Sequence, residues 1–214
     1  MVGNCLQNIE VKVKSYYINE ERYDWLTDPK RFEKIYHTLR ARSYVKKIGK
    51  LCKTMRSSWI LDAGCGTGLI TVHIPPPVIG VDINLWNLKR LHSRIKDKEL
   101  IQADLECLPF RDRCFSIVSC TEVLEHLPYP DKAIREFYRV LKDGGVLIGT
   151  VPSRNPLWYF RRYLLTTCPV SEPFHRNYTS RQLRIMLNIF QRIKIRFFML
   201  SLNLLFTAFK TYHK

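Results

Sequence analysis

Between residues 58 and 151 short apolar runs alternate with amphipathic segments, and that alternation restricts the chain to few folds. Runs at 58–63, 78–82, 99–104, 115–121 and 146–151 read as strands. A short helix is expected after Gly68, and a longer one over 84–96 places Leu85, Leu88, Leu91 and Ile95 on one face. A third, over 131–142, starts at Pro130 and Asp131, with Gly144 and Gly145 allowing a left-handed stop. Strands separated by crossover helices make a parallel sheet, so the expected class is α/β, doubly wound. Before this core the spacing predicts a helix over 29–52, with Asp28 as N-cap, Pro29 in the first turn, and Phe32, Ile35, Leu39, Val45, Ile48 and Leu51 facing inward. After it, Thr179 and Gln182 have capping-box spacing ahead of Leu183, Met186, Leu187 and Phe190, and the runs 193–200 and 202–209 suggest an edge hairpin.

The first strand runs into Gly64-x-Gly66-x-Gly68, where missing side chains let a ligand approach the backbone. Three consecutive strand ends carry Asp62, Asp82 and Asp104, at the carboxyl edge where open α/β sheets bind ligands. A carboxylate ending the second strand is placed to grip a ribose diol. The G-x-G-x-G spacing disfavours a nicotinamide dinucleotide, whose loop reads G-x-G-x-x-G.

Five segments in order, Leu61-Asp-Ala-Gly-Cys-Gly-Thr-Gly68, Val78-Ile-Gly-Val-Asp82, Ala103-Asp-Leu-x-x-Leu-Pro-Phe110, Glu122-Val-Leu-Glu-His-Leu127 and Arg139-Val-Leu-Lys-Asp-Gly-Gly145, resemble the class I S-adenosylmethionine-dependent methyltransferases. The similarity is to the type 11 subgroup that includes ubiquinone and menaquinone biosynthesis methyltransferases. It covers about 58–151 and reaches weakly into 175–187. The resemblance implies a Rossmann-like, seven-stranded, mostly parallel sheet in the order 3-2-1-4-5-7-6 with helices on both faces. It implies that Asp62, Gly64, Cys65 and Gly66 border the methionine end of S-adenosylmethionine. Asp82 would hold the ribose, Ile83, Asp104 and Leu105 would meet the adenine, and Thr121 and Glu122 would lie near the sulfonium. The sequence departs from the family in the nine residues between Gly68 and Val78, which include Pro75, Pro76 and Pro77 and leave room for about two helical turns.

Glu122, Glu125 and His126 form an E-x-x-E-H group that binds a divalent cation such as Mg in some relatives; with His175 downstream, the group reads as a metal site, as a general base supplied by His126 or His175, or as loop architecture. Leu157-Trp-Tyr-Phe-Arg-Arg-Tyr-Leu-Leu165 and Phe174-His-Arg-Asn-Tyr178 interleave aromatics with Arg, which fits a lid over the site, a membrane contact or a nucleic-acid contact.

Charge is unevenly distributed. Of the net +16, residues 1–57 carry 13 Lys and Arg against 6 Asp and Glu, 58–151 carry 11 against 12, and 152–214 carry 11 against 1. A neutral core between basic flanks suggests chemistry on a small molecule in the middle and an anionic partner, membrane or nucleic acid, at the flanks. The organisation that follows is a basic helical arm over 1–57 and a methyltransferase domain over 58–214, with the cofactor core at 58–151 and a lid and hairpin at 152–214. The favoured acceptor is small and lipidic or quinone-like; RNA methylation and a non-catalytic binding protein are the alternatives. Seven scattered cysteines without a C-x-x-C pair argue against disulfides and zinc, and are expected to be reduced and mostly buried. No apolar run reaches the roughly 20 residues of a spanning helix and no leader is visible, so a cytoplasmic protein, peripheral to membranes at most, is expected.

Overall fold

The computed structural model describes residues 2–19, 31–55, 59–156 and 175–212. Two helices, α1 (Val2–Asn19) and α2 (Arg31–Met55), precede β1 (Ile60–Ala63), β2 (Val78–Asp82), α3 (Leu85–Arg94) and β3 (Glu99–Gln102). Then follow β4 (Phe115–Thr121), α4 (Pro130–Val140), β5 (Leu141–Pro152), α5 (Ser180–Met186), β6 (Gln191–Phe198) and β7 (Asn203–Phe209). The seven strands form one sheet in the order β3-β2-β1-β4-β5-β7-β6. The first five are parallel, and β7 runs antiparallel to both β5 and β6. This is the doubly wound arrangement expected.

Side chains alternate across the central strands, so each strand feeds two cores. Leu61, Ala63, Val118 and Cys120 point to one face, against Ala133, Ile134 and Phe137 of α4 and Leu183 of α5. Ile60, Ile117 and Ile148 point to the other, against Ala41, Tyr44 and Ile48 of α2. A satellite of Leu88, Leu91, Ile95 and Cys65 seats α3. The capping box at Thr179 and Gln182 forms, with both reciprocal hydrogen bonds made.

Helix α2 packs inward with Ile48, Val45 and Leu51 as expected, but its first half buries a different face. Ile35 and Leu39 stand 54% and 49% exposed, whereas His37, Arg40, Ala41, Tyr44 and Ile48 are buried. The cause is the surface α2 meets: the carboxyl ends of β4 and β5 carry polar groups. Tyr44 Oη donates to the Ile148 carbonyl at 2.9 Å and lies 3.1 Å from Ser119 Oγ. Asp28 and Pro29 lie outside the described residues, as does the aromatic segment from Leu157 to Phe174.

Three further expectations are corrected. The helix after Gly68 is a single 3-10 turn, Thr71–His73, ahead of the proline run. Strand β5 begins at Leu141, immediately after α4, so Gly144, with φ +71, serves an irregularity within β5 and not a helix stop. The carbonyls at the end of α4 are met instead by Lys210 Nζ, which donates to Tyr138 O and Leu141 O at 2.8 Å each. Of the described cysteines Cys65 and Cys120 are buried, Cys52 and Cys114 half-buried and Cys107 exposed, so burial is less general than expected. No described helix is long and apolar enough to cross a membrane.

Candidate active site

The ends of β1, β2 and β4 meet at the glycine loop, and the three glycines do different work there. A β-carbon on Gly64 would lie 2.3 Å from Val123 Cγ2, and one on Gly68 2.3 Å from Leu91 Cδ1. Their missing side chains are filled by the protein itself. Gly66, with φ +52, has no atom within 4 Å of a β-carbon position and alone leaves its backbone open to a ligand. Cys65 turns its thiol toward Gly80 and donates its N–H to Val81 O at 2.9 Å, so this residue builds the loop. Burial pushes its thiol pKa upward.

Beneath the loop, Asp62 is 1% exposed. Thr71 Oγ1 donates to Asp62 Oδ2 at 2.6 Å and Ser119 Oγ donates to Oδ1 at 2.8 Å. Burial raises the Asp62 carboxyl above its ordinary range, and these two hydrogen bonds oppose the shift. Asp62 therefore ties loop to sheet from below. Asp82, at the end of β2, accepts from Gly66 N on Oδ2 and from Asn84 N on Oδ1, both at 2.8 Å, and so fixes the loop and the entry to α3 on either side of Ile83. Asn84 caps α3 by accepting from Asn87 N.

Helix α1, which the sequence reading did not detect, lies along this edge. Lys14 Nζ meets Asp104 at 2.8 Å, Glu106 at 3.0 Å and Glu10 at 2.8 Å. Burial opposes the Lys14 charge, but the hydrogen bonds to these three carboxylates together raise its pKa. Asn84 Nδ2 donates to Tyr17 O at 2.8 Å, and Tyr17 Oη lies 2.8 Å from His126 Nδ1. The only local signal for this helix was the Glu10–Lys14 spacing of four residues. Leu105 is buried below Asp104.

After Thr121 the chain turns through Glu122, which adopts φ +53. A non-glycine residue there costs about 1–3 kcal/mol and persists only when its surroundings impose it. They do: Glu122 accepts from Arg40 at 2.8 Å, from Thr150 Oγ1 at 2.8 Å and from Asn203 Nδ2 at 2.9 and 3.0 Å. Asn203 in turn accepts from Tyr36 Oη. The assignment of Glu122 as a metal ligand is thus corrected; its oxygens are committed to α2, β5 and β7. Nothing in the sequence marked Arg40 or Asn203 as its partners.

The remaining acceptor-side candidates do converge. His126 and His175 stack edge to face at 5.3 Å, beside Tyr17 at 5.4 Å. Glu125, His126 and His175 can each offer one ligand atom with all three within 4.8 Å. One carboxylate and two imidazoles suit a borderline transition metal and not Mg, which prefers oxygen donors in an octahedron, so the residues do not fit the cation first considered. Tyr178 Oη donates to Leu124 O at 3.0 Å and its burial pushes its pKa up to about 12, which keeps it neutral and structural.

Known proteins share part of this sequence and the fold. The family model of the methyltransferase domain matches residues 61–149. Demethylmenaquinone methyltransferase of Lactobacillus johnsonii is 34% identical over 126 residues, covering 52% of this chain and 52% of that protein. Ubiquinone biosynthesis O-methyltransferase of Coxiella burnetii is 31% identical over 120 residues, covering 53% and 50%. The chain therefore spans about half the length of the curated relatives it matches. Magnesium protoporphyrin IX methyltransferase of Synechocystis, solved with bound S-adenosylmethionine, superposes with a TM-score of 0.68 at 17% identity, covering 95% of this chain and 97% of that one. Residues 61–149 thus match the methyltransferase-domain family, and the chain shares the fold of the Synechocystis enzyme.

Proposed function

We propose that the chain transfers a methyl group from S-adenosylmethionine to a small, lipidic or quinone-like acceptor. The observation that carries this reading is the one open position of the glycine loop, Gly66, flanked by Asp82 at the end of β2. The names of the two curated relatives support the acceptor class. The cofactor, when bound, supplies an electrophilic methyl group. Asp82 would hold the ribose hydroxyls, with Ile83, Asp104 and Leu105 bordering the adenine, the Gly64–Gly66 turn bordering the methionine end, and Thr121 near the sulfonium.

The residues of this chain contribute proximity, in-line orientation and exclusion of water. Helix α1 supplies part of that exclusion, since Lys14 and Tyr17 bind across the site edge. In the tautomer where His126 Nδ1 donates to Tyr17 Oη, Nε2 is the proton acceptor for an acceptor hydroxyl. His175 stands against the same ring. No step requires a metal.

The test is transfer of labelled methyl from S-adenosylmethionine to a panel of catechols and hydroquinones, with bulk tRNA as a parallel substrate. Label on the small molecules alone is expected, and His126→Ala should lower kcat while leaving cofactor affinity unchanged. Label on tRNA alone would replace this reading with RNA methylation.

A further inference from the structure

The two basic flanks of the sequence come together in the fold. Helix α2 and the outer strands enclose a groove of about 230 Å³. From α2 come Lys47, Lys50, Leu51 and Thr54, which at spacings of three, four and seven residues form one stripe. From the sheet come Lys194 and Arg196 of β6, whose cross-strand neighbours Thr207 and Leu205 of β7 floor the groove. Four cations thus face one concavity. No acidic side chain lines it among the described residues, and none of the four has an ion-pair partner there.

The contrast with Arg40, ten residues before Lys50 on the same helix, is informative. Arg40 is buried against Glu122 and its charge is met. Lys47 lies seven residues further on, about 10 Å along the axis at 1.5 Å per residue, so the groove is separate from the acceptor site.

On the other side of β6, Ile193 and Ile195 pack against the core, and exposed apolar residues lie at the far end of the strand and around it. Phe197 is 64% exposed, Leu200 at the hairpin tip 83%, and Ile185 on α5 61%. Basic residues on one side of an edge and exposed large apolar residues on the other match the phosphate and acyl-boundary layers of an anionic bilayer. Single-stranded nucleic acid calls for aromatic stacking platforms, and no aromatic ring lines the groove among the described residues.

We propose that the groove between α2 and β6 seats the phosphates of acidic phospholipids and docks the β6 edge on an anionic membrane, with Phe197 and Leu200 entering the headgroup layer. The hairpin tip adjoins Asn203, which holds Glu122 at the site edge, so docking this way sets the site beside the bilayer. The inference rests on the lipidic-acceptor reading for its purpose, though not for its binding.

Flotation of the full chain with vesicles of phosphatidylcholine, or of an equal mixture with phosphatidylglycerol, tests it. The wild type should float with the acidic vesicles only. Charge reversal at Lys50 and Lys194 (K50E/K194E) should cut vesicle affinity by about tenfold or more, at roughly 1 kcal/mol per basic residue near the surface. K89E/K96E, the same charge change outside the groove, should cut it less than about threefold, because only residues at the docking face feel the surface within a Debye length. The neutral pair K50Q/K194Q serves if charge reversal unfolds the chain. Equal losses in the groove and control pairs, flotation with phosphatidylcholine alone, no flotation at all, or tRNA binding lost in the groove pair would each overturn the proposal. Methyl transfer to a water-soluble catechol without vesicles reports the function reading separately: it should survive in the groove pair, and its absence in the wild type would strike that reading and leave the groove untouched.

Discussion

Toward its start, helix α2 closes on Glu122 with Arg40 and fills every oxygen of that carboxylate from three elements; toward its end, it presents Lys47 and Lys50 to Lys194 and Arg196 across an open groove. One helix holds both a satisfied charge and an unsatisfied group of charges. Residue type does not distinguish them, since all are basic residues with helical spacing. Partnership does: a buried ion that meets its partners is framework, and cations brought together without a counter-charge mark a place for a ligand.

The largest expected effect tests the framework half. Arg40→Ala strands Glu122 in a mostly buried position, and breaking such a pair costs about 3–5 kcal/mol when fully buried; with Glu122 partly exposed, the lower end is expected in denaturant unfolding. Arg40→Met with Glu122→Gln should recover most of that loss. A loss below about 1 kcal/mol, the range of an exposed surface pair, would mean the network is not framework.

Next come the glycines. Gly64→Ala forces a β-carbon onto Val123 at positive φ and should cost about 1–3 kcal/mol of overpacking, partly relieved by Val123→Ala. Gly66→Ala meets no neighbour and should cost only about 1 kcal/mol of backbone strain, while weakening cofactor binding more than Gly64→Ala does per unit of stability lost. Thermal denaturation beside cofactor titration separates the two; identical ratios would remove the distinction drawn between framework and open positions.

Tyr17→Phe removes one hydrogen bond to His126 and should cost about 0.5–1.5 kcal/mol of α1 docking, read as faster protease cleavage within α1. The smallest effect is on acidification. Hydrogen bonding to Lys14 holds the Glu10 carboxyl below its ordinary value near 4.5, with burial opposing. Because the folded pKa is depressed, the stabilisation is fully present above that ordinary value and is lost as pH falls through the folded pKa. Glu10→Gln should therefore flatten the loosening of α1 that acid causes in the wild type, followed by the same cleavage assay.

The legible parts of this molecule were those that local chemistry decides. Strands β2 and β4 fall on the bounds read from sequence, because their apolar runs are buried on both faces, and the capping box at Thr179 forms as written. The glycine loop was found, but not the separate duties of its glycines, since Val123 and Leu91 come from distant segments. Ile48, Val45 and Leu51 of α2 pack inward as read, but its first half was misread because Ser119 and Glu122, some 75 or more residues away, favour Tyr44 and Arg40 over Ile35 and Leu39. Helix α1 was missed for the same reason: Lys14 and Tyr17 bind Asp104 and His126, and little in their own neighbourhood announces it.

The most direct test of the account is calorimetric titration of the wild type and of Asp82→Asn with S-adenosylmethionine and S-adenosylhomocysteine, with NADH as control. The account predicts that the wild type binds the first two and not NADH, and that Asp82→Asn weakens binding about tenfold or more, the loss of a charge-assisted hydrogen bond worth about 1.5–3 kcal/mol. No binding by the wild type, or equal affinity in the variant, would contradict the placement of a methyl-donor site at Gly66 and Asp82.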